Sequence, residues 1–391
     1  MTAFRDPMRF LDDPDQLRAG DPERMLEMAE NFAGQCQEGL QRGESAAQQL
    51  DPSYLRPANI VIAGMGGSAI SGDLLAAIFT ERLKIPVAVV RDYRLPAFVS
   101  RRSLVFAVSH SGKTAETTSA FAQCLKRKAR VVAICGAGKP NEPSTLWKMA
   151  QDAGAPRVEV PQREEPKAYI RPRACTGLLL MPMVAITERL APGIVKPESG
   201  ATQEAIAVLR RQGADYGRGS PTSENLAKRL AIRIAGKFPL VYGAVPWLGP
   251  VAFRWRTQFN ENSKALALSH ELPELDHNEV MGWRRGAATL VQPICIWLRP
   301  RDEDFGPQMQ DRLHFTPQIA DAPAYQEQCI ANGESRLAQV LSLVHLGDMV
   351  SLYLALLYGV DPADTGPIAR LKVLLEEAEC KRQVERKAKR S

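Results

Sequence analysis

Several things are scarce in this chain, and each scarcity excludes something. Only 6% of the 391 residues are aromatic, and only five are histidine. The seven cysteines (Cys36, Cys124, Cys135, Cys175, Cys295, Cys329, Cys380) are scattered, odd in number and form no Cys-x-x-Cys pair. That pattern argues against both a disulfide framework and a thiolate metal site, so they read as reduced, mostly core thiols. No uninterrupted apolar run approaches ~18 residues, and Met1-Thr2-Ala3-Phe4-Arg5-Asp6 lacks a basic region followed by an apolar segment. Neither a membrane span nor a secretory signal is expected, and the expected location is the cytoplasm. The formal charge of +6 is modest for this length, and much of it sits between Lys381 and Arg390. Without interleaved aromatics that basic end reads as a solvated helical tail rather than a nucleic-acid surface.

What is present is a 45% hydrophobic content, enough for a large core, and a length that favours two domains, at 1–195 and 196–391. The chain is organised around Ile60 to Ser111. There Asn59-Ile60-Val61-Ile62-Ala63 runs into Gly64-Met65-Gly66-Gly67-Ser68, and Leu104-Val105-Phe106-Ala107-Val108 runs into Ser109-His110-Ser111-Gly112-Lys113-Thr114. An apolar strand, a small polar turn and a helix start is how α/β proteins gather backbone N–H groups around an anion. Two in succession predict one phosphate cradle, with Gly66, Gly67, Ser68, Ser109, Ser111 and Thr114 as its donors and Lys113 adding charge nearby. Gly64-x-Gly66-x-x-Ala69 also fits a dinucleotide fingerprint, but Asp92 lies too far along to hold a ribose.

The surrounding pattern alternates. Helices are expected at Ala69–Phe79 and Ala115–Lys128, and strands at Val87–Val90, Val131–Ile134 and, on the edge, Arg157–Val160. An apolar helix is expected from Ala174 to Leu190, and one or two helices before residue 48. This predicts an α/β fold with a parallel, doubly wound sheet. After two amphipathic helices between 201 and 235 the opening pattern returns as strand Pro239–Ala244 and helix Gly249–Asn260, a second copy without its Gly-Gly-Ser loop. A strand Leu290–Leu298, a long amphipathic run Ser335–Tyr358 and a closing helix from Ile368 finish the chain. The stretch after Asn260 shows little regular pattern, and 299–333 is unassigned.

Two clusters remain. Asn260-Glu261-Asn262-Ser263-Lys264 ends a helix, where a Glu between amides is either a surface cap or a placed carboxylate. His270-Glu271-Leu272-Pro273-Glu274-Leu275-Asp276-His277-Asn278-Glu279 is dense in imidazole and carboxylate, but Pro273 interrupts any helix joining the two histidines. A polar loop delivering one imidazole and one carboxylate to a sugar is the stronger alternative to a metal site.

Taken together, Gly-Met-Gly-Gly-Ser at 64–68, Ser-His-Ser-Gly-Lys-Thr at 109–114, Pro-Arg-Ala at 172–174, Asn-Glu-Asn at 260–262, Glu-Leu-Asp-His-Asn-Glu at 274–279, Leu-Gly-Asp at 346–348 and Gly-Val-Asp-Pro at 359–362 resemble the bifunctional phosphoglucose/phosphomannose isomerases. The resemblance runs in order from about 55 to 375. His110 and Lys113 depart from the family's Ser-Tyr-Ser-Gly-Asn-Thr. What it implies is two tandem sugar isomerase (SIS) domains, a hexose 6-phosphate substrate, no metal and no cofactor. It assigns Glu261 as the base that moves the proton, His277 and Lys372 as ring openers, Arg173 over the enediolate, and Thr365 as the residue associated with accepting mannose 6-phosphate. It also implies a homodimer in which His277 comes from the neighbouring subunit. Asp348 is expected to support the site, and His314 and His345 to be structural. The competing readings are a non-catalytic sugar-phosphate-sensing regulator, which usually carries a helix-turn-helix not found in residues 1–50, and a nicotinamide-dependent oxidoreductase resting on glycine spacing alone.

Overall fold

The computed structural model describes residues 6–163, 169, 171–289, 292–301, 305–319 and 321–388. It opens with α1 (Pro7–Leu11), α2 (Pro14–Gly20), α3 (Met25–Glu30) and α4 (Phe32–Gln48) where one or two helices were expected. Carboxylates divide the segment: Asp6 and Asp13 cap α1 and α2, and buried Asp21 accepts from the N–H groups of Met25 and Leu26 at the start of α3. Helix α4 lies close against α8 (Thr176–Glu188) because Gly39 and Gly43 carry no side chain there. A Cβ at Gly43 would stand 2.5 Å from the Pro182 Cα.

The first sheet forms from β1 (Asn59–Ala63), β2 (Val87–Val90), β3 (Ser103–Ser109) and β4 (Arg130–Cys135), with edge strand β7 (Arg157–Glu159), in the order β2-β1-β3-β4-β7 and parallel throughout. A minor hairpin pairs β5 (Gly138–Lys139) with β6 (Glu142–Pro143). Period-two alternation divides each central strand between two cores. Ile60, Ile62, Leu104, Phe106 and Val108 face the large core, which includes α8 and α5 (Gly66–Phe79). Val61, Ala63, Val105 and Ala107 face a smaller one under α6 (Ala115–Lys126) and α7 (Thr145–Asp152). The doubly wound expectation holds. Helix α5 begins three residues earlier than expected, so Gly66, Gly67 and Ser68 are its first turn rather than a loop before it.

The second half contributes α9 (Ala201–Tyr216), α10 (Leu226–Ile234), β8 (Phe238–Ala244), α11 (Leu248–Glu261), β9 (Leu268–Leu272), α12 (Glu279–Thr289), β10 (Pro293–Arg299), α13 (Pro307–Phe315), β11 (Tyr325–Ile330), α14 (Arg336–Leu357) and α15 (Gly366–Ala388). Its sheet is also parallel, in the order β11-β10-β8-β9. Leu290 and Val291 of the expected strand lie outside the described residues. Strand β9 falls where little pattern was visible. It buries Leu272 fully but carries the polar Ser269 and His270, as an edge strand allows. Where the first half has its glycine turn, the second has Trp247, fully buried.

Helix α14 corrects the expectation of amphipathicity. It is buried along its whole length between α9, α10 and α11, so no periodic polar face exists to be read. Among the described residues it is the one helix long and apolar enough to cross a membrane, yet 94% of its most apolar window is buried inside the protein. His345 sits at its centre, its Nδ1 3.3 Å from the Gln212 Oε1 and its ring between Phe32 and Tyr216. Burial pushes its pKa down to about 4, so it is neutral in the folded chain.

An unfolded chain protonates a histidine near pH 6.5 and the folded chain resists until about 4, so stability is intact above that range and lost as pH falls through it. Denaturant titrations at about pH 7 and about pH 5 should differ by on the order of 2 kcal/mol for this residue alone. His345→Gln should remove about that share of the difference and leave the share of the other buried histidine, His110, and an unchanged slope would refute the assignment.

Candidate active site

The two polar turns meet. The Ser68 Oγ accepts from the His110 N–H at 3.3 Å, joining the first turn to the second. Within the second, the Ser109 and Thr114 hydroxyls are 2.8 Å apart, the Ser111 Oγ accepts from the Lys113 N–H, and Gly112 takes a positive φ of 65° to close the turn. The first N–H groups of α5, those of Gly66 and Gly67, have no acceptor among the described residues, and no side chain caps that helix. Lys113 is directed outward, 3.8 Å from Glu142. His110 is buried, its pKa lowered to about 4 chiefly by that burial, so it brings no charge.

Gly67 is the point of contact with the rest of the site. A Cβ there would stand 3.1 Å from the Arg173 N and the Pro172 carbonyl carbon, so glycine lets the short 3-10 turn Pro172–Ala174 lie against the turn. From that turn the Arg173 side chain, 3% exposed, reaches the second half. Its Nε donates to the Asn262 Oδ1 at 2.7 Å, one terminal nitrogen donates to the Pro362 carbonyl, and the other lies 3.4 Å from the Glu261 carboxylate. Burial lowers the Arg173 pKa, and Glu261 acts against that shift. Asn262 is itself fixed by the Ser351 Oγ at 2.9 Å, and the Lys264 ammonium closes on the Glu261 and Pro362 carbonyls.

Thr365 joins through a neighbour: the Arg171 guanidinium donates to its Oγ1 at 3.4 Å. His277 stands apart. It ends the 3-10 turn Glu274–His277 after β9, exposed, while Asp276 beside it is held by Arg312 and Thr316. Lys372 lies on an exposed stretch of α15. No hydrogen bond or ion pair links either to Glu261 among the described residues. His270 accepts from the Glu271 N–H, and no group of three or more His, Cys, Asp or Glu is arranged for a metal among the described residues.

A buried guanidinium running from an open N–H turn to a carboxylate is thus the centre of the site, and the chain that builds it has characterised relatives. It is 33% identical over 354 residues to the bifunctional phosphoglucose/phosphomannose isomerase of Caldicellulosiruptor bescii, covering 90% of this chain and 99% of that one. To the enzyme of the same name from Aquifex aeolicus it is 33% identical over 361 residues, covering 91% and 99%. The chain belongs to this family. A model of the SIS domain matches residues 54–143, and one of the bacterial phospho-glucose isomerase C-terminal SIS domain matches 223–375, so each parallel sheet lies within or beside an SIS domain. In fold it is similar to a hypothetical protein from Thermus thermophilus, with a TM-score of 0.68 at 18% identity over 95% of this chain and 93% of that one.

The motifs of this family member include Arg173, Glu261 and Asn262, which meet, but not the residue that holds the Arg173 backbone. Arg254, 1% exposed on α11, donates to both the Arg173 carbonyl at 2.9 Å and the Asp348 carboxylate at 2.7 Å. Asp348 thus reaches Arg173 through Arg254. Burial raises the Asp348 pKa and Arg254 works against that. The available signal was a charged residue on the apolar stripe of α11, seven positions before Glu261 and so on the same face.

Arg254→Met should strand a buried carboxylate and cost about 3–5 kcal/mol in denaturant unfolding. Arg254→Met with Asp348→Leu should recover most of that loss. A double variant no more stable than the single would show that the pair does not bear on stability in this way.

Proposed function

We propose that this chain is an aldose–ketose isomerase interconverting glucose 6-phosphate, and also mannose 6-phosphate, with fructose 6-phosphate through a cis-enediolate, in the cytoplasm and without metal or cofactor. The observation that carries this reading is the contact at Gly67, where the phosphate turn of the first half touches the backbone of an arginine whose side chain ends at a carboxylate of the second half. Residues 1–195 grip the phosphate end of the substrate and send Arg173 to the other end, where residues 196–391 act.

The division of labour follows from the chemistry. Gly66, Gly67, Ser68, Ser109, Ser111 and Thr114 supply N–H and O–H donors to a phosphate dianion at the start of α5. His277 and Lys372 move protons at the ring and anomeric oxygens to open the sugar. Glu261 removes the C2 proton, the electron pair shifts to the C1 carbonyl to give the enediolate, the proton of the C2 hydroxyl passes to O1, and the same carboxyl returns its proton to C1 as C2 becomes the carbonyl. Arg173, pinned on two sides, keeps one terminal nitrogen toward Glu261, where negative charge develops on the sugar oxygens. Thr365 steers the C2–C3 region on which the two aldose epimers differ.

A homodimer with His277 donated by the partner is supported by the unpaired surfaces. His277 is exposed after edge strand β9, and Leu266 before that strand, Leu268 on it and Met281 on α12 are exposed as well. Ile368, Leu371, Val373, Leu374 and Leu375 of α15 are all about half exposed, an apolar surface with no burial of its own. The regulator reading is disfavoured, since it needs the phosphate turns but gives no role to the Arg173–Glu261–Asn262 arrangement.

A coupled assay of fructose 6-phosphate formation from each aldose phosphate, with chelator present, tests the reading. Turnover should persist, and Glu261→Gln should lower it by about 10²–10⁴-fold while leaving sugar-phosphate binding intact. A Gln variant with near-normal rates, or activity abolished by chelator, would refute it. Mixing inactive Glu261→Gln and His277→Ala chains should restore about a quarter of wild-type turnover, because half of the dimers contain one complete shared site. No recovery in a mixture shown to have exchanged subunits would refute the donation.

A further inference from the structure

Glu23 lies between α2 and α3, outside every motif and before the SIS domains, yet it touches the site. Its carboxylate takes two parallel bonds from Arg171, at 2.7 Å from Nε and 2.6 Å from a terminal nitrogen, with both side chains about one-fifth exposed. This uses up one edge of the guanidinium and fixes its plane. The remaining nitrogen donates to the Thr365 Oγ1 at 3.4 Å. Glu23, Asp361 and Asp364 favour the charged form of Arg171.

We propose that Glu23 and Arg171 form a positioning pair that anchors the loop from Asp361 to Thr365 and sets the polarity of the Thr365 hydroxyl. Arginine has no acceptor, so a Thr365 oxygen engaged by Arg171 must accept. Its own proton is then left to donate outward, toward a sugar oxygen or a bridging water. The loop is held at two further points by cations of the same site: Arg173 and Lys264 both donate to the Pro362 carbonyl. Asp361 and Asp364 close it internally through the Ala363 and Gly366 N–H groups, and the Thr365 carbonyl accepts from Ala369 to begin α15. Among the described residues Arg171 is the one of the three cations that donates to a side chain of this loop, and its own partner, Glu23, lies between the N-terminal helices α2 and α3. Those helices thereby act on the orientation of a hydroxyl facing the substrate, while Glu23 itself touches no reacting atom.

The proposal rests on the isomerase reading, and the two are separable by experiment. Full-length wild type, Arg171→Lys, Glu23→Gln and Thr365→Val are assayed for kcat and KM with glucose 6-phosphate and mannose 6-phosphate, alongside thermal unfolding. Wild type inactive on both sugars would overturn the isomerase reading itself. With wild type active, Arg171→Lys keeps the charge but loses the fork, and should shift the mannose-to-glucose kcat ratio by about tenfold with KM little changed. Glu23→Gln should shift it in the same direction by a smaller factor. Adding Arg171→Lys to Thr365→Val should produce no further shift in the ratio, since the two act through one hydroxyl. An unchanged ratio, or equal losses on both sugars in step with thermal stability, would overturn the pair's role.

Discussion

The structure depends most on the way a single guanidinium is bound. Arg173 leaves the first half of the chain and is gripped by the second, with Asn262 on its Nε, the Pro362 carbonyl on one terminal nitrogen and Glu261 on the other. An arginine buried to this degree persists only if nearly every donor is answered, and the answers come from the end of α11 and from the loop that follows α14. Asn262 needs Ser351 on α14, the Arg173 carbonyl needs Arg254 on α11, and Arg254 needs Asp348 on α14. The helix most deeply enclosed in the molecule is therefore also the one that aligns the site. Packing of α14 and placement of the Glu261 carboxylate are one constraint.

The same enclosure explains what the sequence could and could not disclose. Central strands were legible because β1, β3 and β4 are short apolar runs ending in glycine or serine turns, a pattern with few competing structures. Strand β9 was not, because an edge position tolerates Ser269 and His270 and removes the continuous apolar run. Helix α14 could be located, since Ser335 caps it, but its face could not be assigned, since it has no exposed side. The N-terminal region hid several helices behind Asp13 and Asp21, whose capping role is visible only when their N–H partners are in place.

At the candidate site, the residues proposed to meet a ligand lie in compact motifs, whereas those that hold them are distributed. Gly67, Ser68, Ser109 and Thr114 stand in two short turns, and Glu261 and Asn262 are adjacent. Arg254, Arg171 and Glu23 belong to no local pattern and become meaningful only through bonds between residues far apart in the chain. His277 and Lys372 form the opposite case. The resemblance points to both, through its own motif for His277, while a single chain leaves both exposed and unlinked to Glu261 among the described residues.

The tight seating of α4 on α8 bears on how the polypeptide is made. Helix α4 precedes the first sheet in the chain, but the surface of α8 that accepts Gly39 and Gly43 follows that entire sheet. Until then its buried face, including Phe32 and Cys36, has nothing to cover it, and parallel strand pairing of this kind is slow to complete. The nascent chain thus carries an uncovered apolar helix face from the synthesis of α4 until α8 has emerged, an interval of more than a hundred residues.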